Sequence, residues 1–257
     1  MAAMGRQRRG YTWASSFRCI RSLQGVVRAS WTHGRKSRRN GQAAGPLIRV
    51  RLRDISISVS PSTPEWPGDT PWSCGWTATI SNGASVNLSS ISGSPHVGTH
   101  ADAPLHVRDG WPGSHELPLE AFYGPAIVVD VSNIEGEISF NEIVPRLARY
   151  RPERLILKTG SSIAGGSFPE DWPTLSESCA RELLGMGLKL LGVDAPSVDQ
   201  RDSKSLAVHK MLFSGNAFIL ENLDLRRTPV GAYELIAFPI KVMSLDAAPV
   251  RAILIEP

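Results

Sequence analysis

The sequence predicts a single mixed α/β domain that follows a basic N-terminal extension. Three observations support this prediction: short apolar runs alternate with amphipathic helical segments, an Asn82-Gly83 hairpin signal precedes them, and the charge changes near residue 46. Strands that alternate with helices are typical of α/β domains with parallel pairing, and a hairpin adds antiparallel pairing. A chain of 257 residues is long enough for one such domain with a substantial core.

The first 46 residues differ from the remainder in charge. They contain ten of the 28 Lys and Arg residues and no acid, which leaves 18 basic against 24 acidic residues in the rest of the chain. Because they also show no sustained periodicity, we expect a disordered extension over 1–46 and a folded domain over 47–257. A nucleic-acid-binding arm and an Arg-rich transit peptide are the alternatives. No nucleic-acid recognition motif accompanies the basic residues, so we expect no nucleic-acid partner.

The composition also indicates in which cellular compartment the protein is expected. No apolar run approaches the ~20 residues that cross a bilayer, so no membrane partner is expected. The three cysteines, Cys19, Cys74 and Cys179, lie far apart and are odd in number. This pattern favours a reducing compartment over a disulfide framework, and we predict a cytoplasmic protein.

The elements of the first half are predicted from alternation and turn signals. Residues 48–59 alternate apolar and polar side chains, which is typical of a half-buried strand. A proline-rich loop follows over 61–71. Residues 76–80 and 86–92 then form a predicted hairpin across Asn82-Gly83, which leads directly into a cluster of histidines.

The second half alternates between the two kinds of element. Apolar runs predict strands, amphipathic spacing predicts helices, and Ser176 is a predicted helix N-cap. The predicted strands are 126–131, 154–158, 188–193, 217–223, 234–242 and 250–256, and the predicted helices are 141–150, 176–186 and 203–213.

The histidine cluster at residues 94–106 is the strongest functional signal. His96, His100, Asp102 and His106 are separated by even numbers of residues, so an extended segment would direct all four to one face. Two prolines and a glycine in this segment disfavour a regular helix. Imidazole and carboxylate groups are ligands for zinc and manganese. The alternative is a set of unrelated surface or core histidines.

Glu221 and His209, which lie much later in the chain, extend this hypothesis of a metal site. Glu221 lies in an otherwise apolar predicted strand, where a carboxylate is costly to bury unless it is paired or bound to a metal. A salt-bridged or solvent-facing Glu221 is the alternative. His209 lies in the predicted helix over 203–213, twelve residues before Glu221.

These motifs together resemble those of a known family. The motif Ser94-Pro-His-Val-Gly-Thr-His-Ala-Asp-Ala-Pro-Leu-His106, with Trp66-Pro-Gly-Asp upstream and His209 and Glu221 downstream, resembles the metal-dependent cyclase-like hydrolases. Within them it most resembles the bacterial kynurenine formamidases, also called arylformamidases. The similarity covers about residues 52–257 and includes the stretches 193–204 and 246–252.

The resemblance implies a fold, a reaction and a set of site residues. It implies a cyclase-like, swivelling β/β/α domain that forms a homodimer and hydrolyses N-formyl-L-kynurenine to L-kynurenine and formate in tryptophan degradation. It also implies two zinc ions, with manganese possible, held by His96, His100, Asp102, His209 and Glu221, with Asp102 and Glu221 shared. His106 would carry the proton and Trp66 would contact the substrate.

Several alternatives to these roles stay open. His106 is alternatively a further ligand or a residue that orients one, and Trp66 is alternatively a structural aromatic residue. Related hydrolases act on other amides and on lactams such as isatin, so an isatin-type substrate is the alternative function. A nucleic-acid-associated protein that acts through the basic arm is a further alternative.

Overall fold

The structure is a computed structural model that describes residues 50–147 and 150–256. The extension predicted over 1–46 lies outside these ranges. So do the first two residues of the strand predicted over 48–59 and two residues near the end of the helix predicted over 141–150. No helix within the described ranges is long and apolar enough to cross a lipid bilayer.

Strands and helices alternate through most of the described chain. In chain order they are β1 (Leu52–Asp54), β2 (Ser73–Ala78), β3 (Leu88–Ser92), β4 (His100–Asp102), β5 (Tyr123–Asp130), β6 (Glu137–Ile138), α1 (Phe140–Leu147), β7 (Arg154–Lys158), β8 (Thr174–Leu175), α2 (Glu177–Gly185), β9 (Leu190–Val193), α3 (Ala207–Ser214), β10 (Phe218–Glu221), β11 (Gly231–Ile236), β12 (Ala247–Pro249) and β13 (Ile253–Ile255).

A nine-stranded mixed sheet forms the centre of the domain. Its order is β1-β13-β11-β5-β7-β9-β10-β4-β12. The neighbours from β5 to β10 are parallel, and the flanking pairs are antiparallel. Strands β2 and β3 form the predicted hairpin as a separate two-stranded sheet, and β6 pairs with β8.

Both faces of the central strands are buried. On β7, Leu155 and Leu157 belong to one core cluster and Ile156 belongs to the other, because alternate residues point to opposite faces. This explains why residues 155–157 form a continuous apolar run between Arg154 and Lys158. The three helices contribute to the first cluster and so cover one face of the sheet.

Helices α2 and α3 begin in different ways. Ser176 Oγ accepts a hydrogen bond of 3.2 Å from the Cys179 amide, which confirms Ser176 as the N-cap of α2. Helix α3 begins at Ala207, so the start predicted at residue 203 was wrong. Leu206 has a left-handed backbone with φ 48°, which is incompatible with a helix.

Several predicted strands were longer than the observed ones, including those predicted over 188–193 and 217–223, which are observed as β9 and β10. The strand predicted over 48–59 ends as β1 at Asp54 and has only an isolated bridge from Ser56 to Leu223 beyond it, and the Ile57 amide donates instead to Thr99 Oγ1 at 2.9 Å. The strand predicted over 234–242 ends as β11 at Ile236, just before a proline-interrupted stretch. The segment predicted over 250–256 forms β13 and an isolated bridge from Val250 to Pro239, and β12 was not predicted.

Candidate metal centre

Two distant parts of the chain meet where β4 pairs with β10. The strands run antiparallel, with His100 opposite Glu221 and Asp102 opposite Ile219. Cross-strand partners and alternate residues share a face, so the side chains of His100, Asp102 and Glu221 lie together. Helix α3 adds His209, whose Nε2 lies 3.2 Å from Asp102 Oδ2. The structure thus brings together the two stretches that the sequence singled out.

Three ligand-type atoms form a tight triangle on one side of Asp102. His96 Nδ1 lies 3.2 Å from His100 Nε2 and 3.1 Å from Asp102 Oδ1, and His100 Nε2 lies 3.2 Å from the same oxygen. Atoms bound to zinc at ~2.0–2.1 Å in a tetrahedron are about 3.3 Å apart. The triangle therefore has nearly the spacing of ligands around one ion.

The other side of Asp102 faces His209. His209 Nε2 lies 3.2 Å from Asp102 Oδ2 and 3.4 Å from Glu221 Oε1, while Glu221 Oε2 lies 3.5 Å from His100 Nε2. Each carboxylate thus presents one oxygen to His100 and the other to His209. Such an arrangement suits two carboxylates that bridge two neighbouring ions.

Hydrogen bonds behind the imidazoles fix which ring nitrogen faces the centre. His100 Nδ1 donates to the Gly98 carbonyl at 2.9 Å, so its Nε2 lone pair points inwards. His209 Nδ1 donates to Asp199 Oδ2 at 2.6 Å. His96 Nε2 donates to Asp246 Oδ2 at 3.0 Å. A second partner of this kind is typical of histidines that ligate metals.

The centre is buried and strongly charged. Burial alone would lower the pKa of His96, but the neighbouring carboxylates of Asp102 and Asp246 raise it to about 10. Burial likewise opposes a raised pKa of His100, and Asp102 and Glu221 outweigh it and raise that pKa to about 9. The pKa of Asp102 is lowered well below its usual value, because the imidazoles outweigh burial.

One buried oxygen supports the fit to a cation. Asp102 is fully buried, and its Oδ1 accepts no hydrogen bond from any residue that the structure describes, although two imidazole nitrogens surround it. A buried carboxylate oxygen without a donor is costly unless a cation lies beside it. Three imidazoles and two carboxylates also match the ligand preferences of zinc and manganese. These residues therefore fit a divalent metal.

His106 lies at the solvent side of this cluster. It ends a short 3₁₀ turn, Pro104–His106, that follows β4. Its Nδ1 donates to Asp246 Oδ2 at 3.1 Å, so Nε2 retains a lone pair. Its ring centroid lies 4.5 Å from that of His96, and its ligand atoms also group with those of His96 and Asp102. The geometry allows both a proton carrier and a ligand.

A cavity of about 430 Å³ opens onto the imidazoles. Trp66, to which the resemblance assigned a substrate contact, lines it and packs edge to face with Phe168 at 5.5 Å and with Trp172 at 5.9 Å between ring centroids. Phe168 lines the same cavity, together with Arg201 and Lys204. The wall beyond the metal-type ligands is therefore aromatic and cationic.

Sequence reasoning assigned no role to four residues of this site: Asp199, Asp246, Phe168 and Arg201. Asp199 and Asp246 fall within the stretches 193–204 and 246–252 that carried part of the resemblance. A carboxylate in each stretch was therefore the available signal. Phe168 and Arg201 show no local pattern that would have distinguished them from other loop residues.

Three imidazoles and two carboxylates at the end of a cavity define a class of site found in metal-dependent hydrolases. Comparison with known proteins agrees with this class. A family model described as "Putative cyclase" matches residues 53–200. Over 211 residues the chain is 44% identical to a kynurenine formamidase of Salinibacter ruber, with 80% of this chain and 97% of the relative covered.

Solved structures show the same fold. A protein described as a "predicted metal-dependent hydrolase" from Bacillus stearothermophilus superposes with a TM-score of 0.69 at 26% identity and covers 82% of this chain and 100% of that chain. Isatin hydrolase A from Labrenzia aggregata superposes with a TM-score of 0.69 at 22% identity, over 80% and 93% of the two chains. The chain belongs to the cyclase family, which confirms the cyclase-like α/β fold and the family resemblance expected from the sequence.

Proposed function

We propose that this chain hydrolyses N-formyl-L-kynurenine to L-kynurenine and formate with the help of bound divalent metal. The observation that carries the proposal is the convergence of His96, His100 and Asp102 with His209 and Glu221, each with a ligand-type atom within 3.5 Å of one in at least one other member, at the base of a cavity with an aromatic wall. The relative from Salinibacter ruber, 44% identical, is named kynurenine formamidase, which supports this substrate.

In this proposal five residues would hold the metal. His96, His100, Asp102, His209 and Glu221 would hold one or two ions, because the carboxylates of Asp102 and Glu221 each face both His100 and His209. Zinc suits these nitrogen and oxygen donors, and manganese is the alternative. A divalent cation in this position polarises an amide carbonyl and lowers the pKa of water towards ~7.

His106 would move the proton that the reaction transfers. Water adds to the formyl carbon, the carbon–nitrogen bond breaks, and the departing aryl nitrogen gains a proton. Because His106 Nδ1 donates to Asp246, its Nε2 is the atom that takes the proton from water and returns it to nitrogen. The Asp246 carboxylate stabilises the imidazolium formed between these two transfers.

Trp66 would hold the aryl ring of the substrate. It is only partly buried, it lines the cavity, and Phe168 and Trp172 fix its ring from behind. An aryl ring of the substrate would gain binding energy from an offset or edge-to-face contact with Trp66. The contact places the ring while the formyl group lies at the imidazoles.

A metal-reconstituted assay tests this function. Metal-free protein is loaded with zinc or manganese, and turnover of N-formyl-L-kynurenine is compared with that of formanilide and isatin. We expect N-formyl-L-kynurenine to have the highest kcat/KM and activity to disappear after chelation and dialysis. Activity that survives removal of the metal contradicts the metal mechanism. A preference for isatin would instead favour the function named for the structural neighbour from Labrenzia aggregata.

The activity is assigned to residues 47–257. Deletion of residues 1–46 should therefore leave kcat and KM unchanged, because none of the proposed ligands lies in that segment. Loss of activity in the truncated chain, with folding and metal content intact, would assign the extension a role in function.

Two copies of the chain are proposed to associate through the β2–β3 hairpin. Trp76 and Ile91 lie two residues apart along the hairpin on one face, and each is 67% exposed. A two-stranded sheet is marginal alone in water, and clustered exposed apolar side chains are typical of interfaces. Light scattering should show a dimer, and the double substitution Trp76→Ser with Ile91→Ser should give a monomer. A wild-type monomer at micromolar concentration overturns this assignment.

A further inference from the structure

Two cationic side chains on the cavity wall have no role in the chemistry described above. Arg201 and Lys204 both line the cavity that contains the imidazoles. The Arg201 guanidinium carbon lies 5.6 Å from the ring centroid of Phe168, and Phe168 in turn packs on Trp66. The positive charge is therefore next to the aromatic part of the wall.

Neither cation is neutralised by an acidic residue of the described chain. Within residues 50–147 and 150–256, the ion pairs of lysine and arginine involve other residues, and none includes Arg201 or Lys204. An unpaired arginine beside an aromatic ring retains all its donors for a planar anion. Arg201 and Lys204 are exposed, so holding them on the cavity wall costs no buried charge.

The proposed substrate carries the complementary group. N-formyl-L-kynurenine consists of a formanilide ring with an ortho side chain that ends in an α-amino acid. With the formyl group at the imidazoles and the ring along Trp66, the α-carboxylate is the anionic group left to be bound. Isatin and formanilide lack this group altogether.

We propose that Arg201 and Lys204 bind the α-carboxylate and make the site selective for aryl formamides that carry an amino-acid side chain. This inference rests on the proposed function. Arg201 offers a planar fork that bonds a carboxylate through two parallel donors, and Lys204 adds a second charge. Asp69 lines the same cavity and accepts a 3.0 Å hydrogen bond from Ser94 Oγ. The wall therefore also contains an acid that suits the α-ammonium of the substrate.

The test compares two substrates in the zinc-loaded full chain. Arg201→Gln and Lys204→Gln should each raise the KM for N-formyl-L-kynurenine about tenfold, which is the scale of one charge-assisted hydrogen bond. The kcat should change less than twofold, and the kcat/KM for formanilide should not change. Arg201→Lys, which keeps the charge without the fork, should give an intermediate KM.

Arg181→Gln is the matched control. It removes a positive charge from an exposed position on α2 that does not line the cavity, so it should leave the KM for both substrates unchanged. Equal losses on both substrates in Arg201→Gln and Lys204→Gln would overturn the inference, because they would indicate a general effect on folding or chemistry. An unchanged KM for N-formyl-L-kynurenine in both variants would overturn it as well.

Failure of the proposed function is distinguishable from failure of this inference. A wild-type chain that hydrolyses formanilide or isatin but not N-formyl-L-kynurenine refutes the proposed function. The inference is then tested by measuring how strongly two compounds inhibit hydrolysis of whichever substrate the wild-type chain accepts. L-kynurenine should inhibit at least tenfold more strongly than 2-aminoacetophenone, which lacks the amino-acid group, and Arg201→Gln should abolish the difference. Equal inhibition by both compounds in the wild type overturns the inference.

Discussion

The two parts of the cavity differ in how their side chains are held. The imidazole and carboxylate cluster is fixed by paired strands and a helix, and four of its members are at most 3% exposed: His100, Asp102, His209 and Glu221. The aromatic and cationic wall comes from loops, and its members are partly buried or exposed: Trp66, Phe168, Arg201 and Lys204. Groups that act on a reacting bond need fixed geometry, whereas groups that select a substrate tolerate variation. Under the proposed function, chemistry and substrate selection would therefore lie on separate parts of this fold.

Substitution in the fixed cluster should have the largest effect. Asp102→Asn replaces a carboxylate that faces both sets of imidazoles with an amide, which is a much poorer metal ligand. We expect kcat/KM to fall at least about 1,000-fold with loss of bound metal. Turnover assays and elemental analysis after dialysis measure both effects. Asp54→Asn, which removes a surface partner of Arg251, is the control and should retain metal and activity. Retained metal in Asp102→Asn would refute the shared role of this carboxylate.

His106 lies between the two parts of the cavity. Its substitution should reduce turnover without reducing the amount of bound metal. His106→Ala should lower kcat by about 10²–10⁴, the usual range for a general acid and base, while metal content stays unchanged. Stopped-flow turnover and metal analysis on the same sample check this split. Parallel loss of metal and activity would instead make His106 a ligand, as its grouping with His96 and Asp102 permits.

Asp199 should show a smaller effect, exerted through His209. It accepts hydrogen bonds from His209 Nδ1 at 2.6 Å and from the His209 and Val208 amides at 3.0 and 3.1 Å. Asp199→Asn should weaken metal affinity by about 10–100-fold, because the imidazole loses its anionic partner. Competition with a fluorescent chelator measures the affinity. Ser176→Ala, which removes the cap of α2, should cost about 1 kcal/mol of stability and leave metal affinity unchanged.

Substitution in the aromatic wall should have the smallest effect on activity. Trp66→Ala should raise the KM for N-formyl-L-kynurenine about tenfold, the order expected for loss of an aromatic contact. Trp66→Phe should recover most of the affinity because it retains a ring. Metal content should stay constant in both variants. If Trp66 is only structural, thermal unfolding will occur at a lower temperature in Trp66→Ala while KM stays constant.

The elements of the central sheet were predictable because both of their faces are buried. Residues 155–157 of β7 follow directly from their apolar composition, whereas the separate β2–β3 hairpin, whose strands are largely exposed, follows from its Asn82-Gly83 turn signal. The ends of β1 and β11 were not predictable, because contacts with residues distant in the sequence decide where strand pairing stops. The Ile57 amide, for example, binds Thr99, which lies 42 positions away.

The residues of the imidazole and carboxylate cluster were easier to predict from the sequence than the loop residues of the cavity wall. The even spacing of His100 and Asp102 correctly placed both on one face of β4, but His96 lies in a turn before that strand and His106 in a 3₁₀ turn after it, so a single extended segment was wrong for these two. The resemblance supplied the proposed ligand roles of His209 and Glu221. Asp246 could not be assigned, because its role depends on contact with His96 over a separation of 150 residues. Phe168 and Arg201 belong to loops whose placement depends on tertiary packing and is not visible in sequence periodicity.

The pairing of β4 with β10 has an evolutionary consequence. His100 lies opposite Glu221, and a slip of one residue in this register would turn Glu221 to the other face of the sheet. Insertions or deletions inside either short strand should therefore be eliminated by selection. The loop between β5 and β6, which contributes no residue to the cavity, can instead gain or lose residues. Homologous chains are thus free to diverge in length there while they inherit the same ligand geometry.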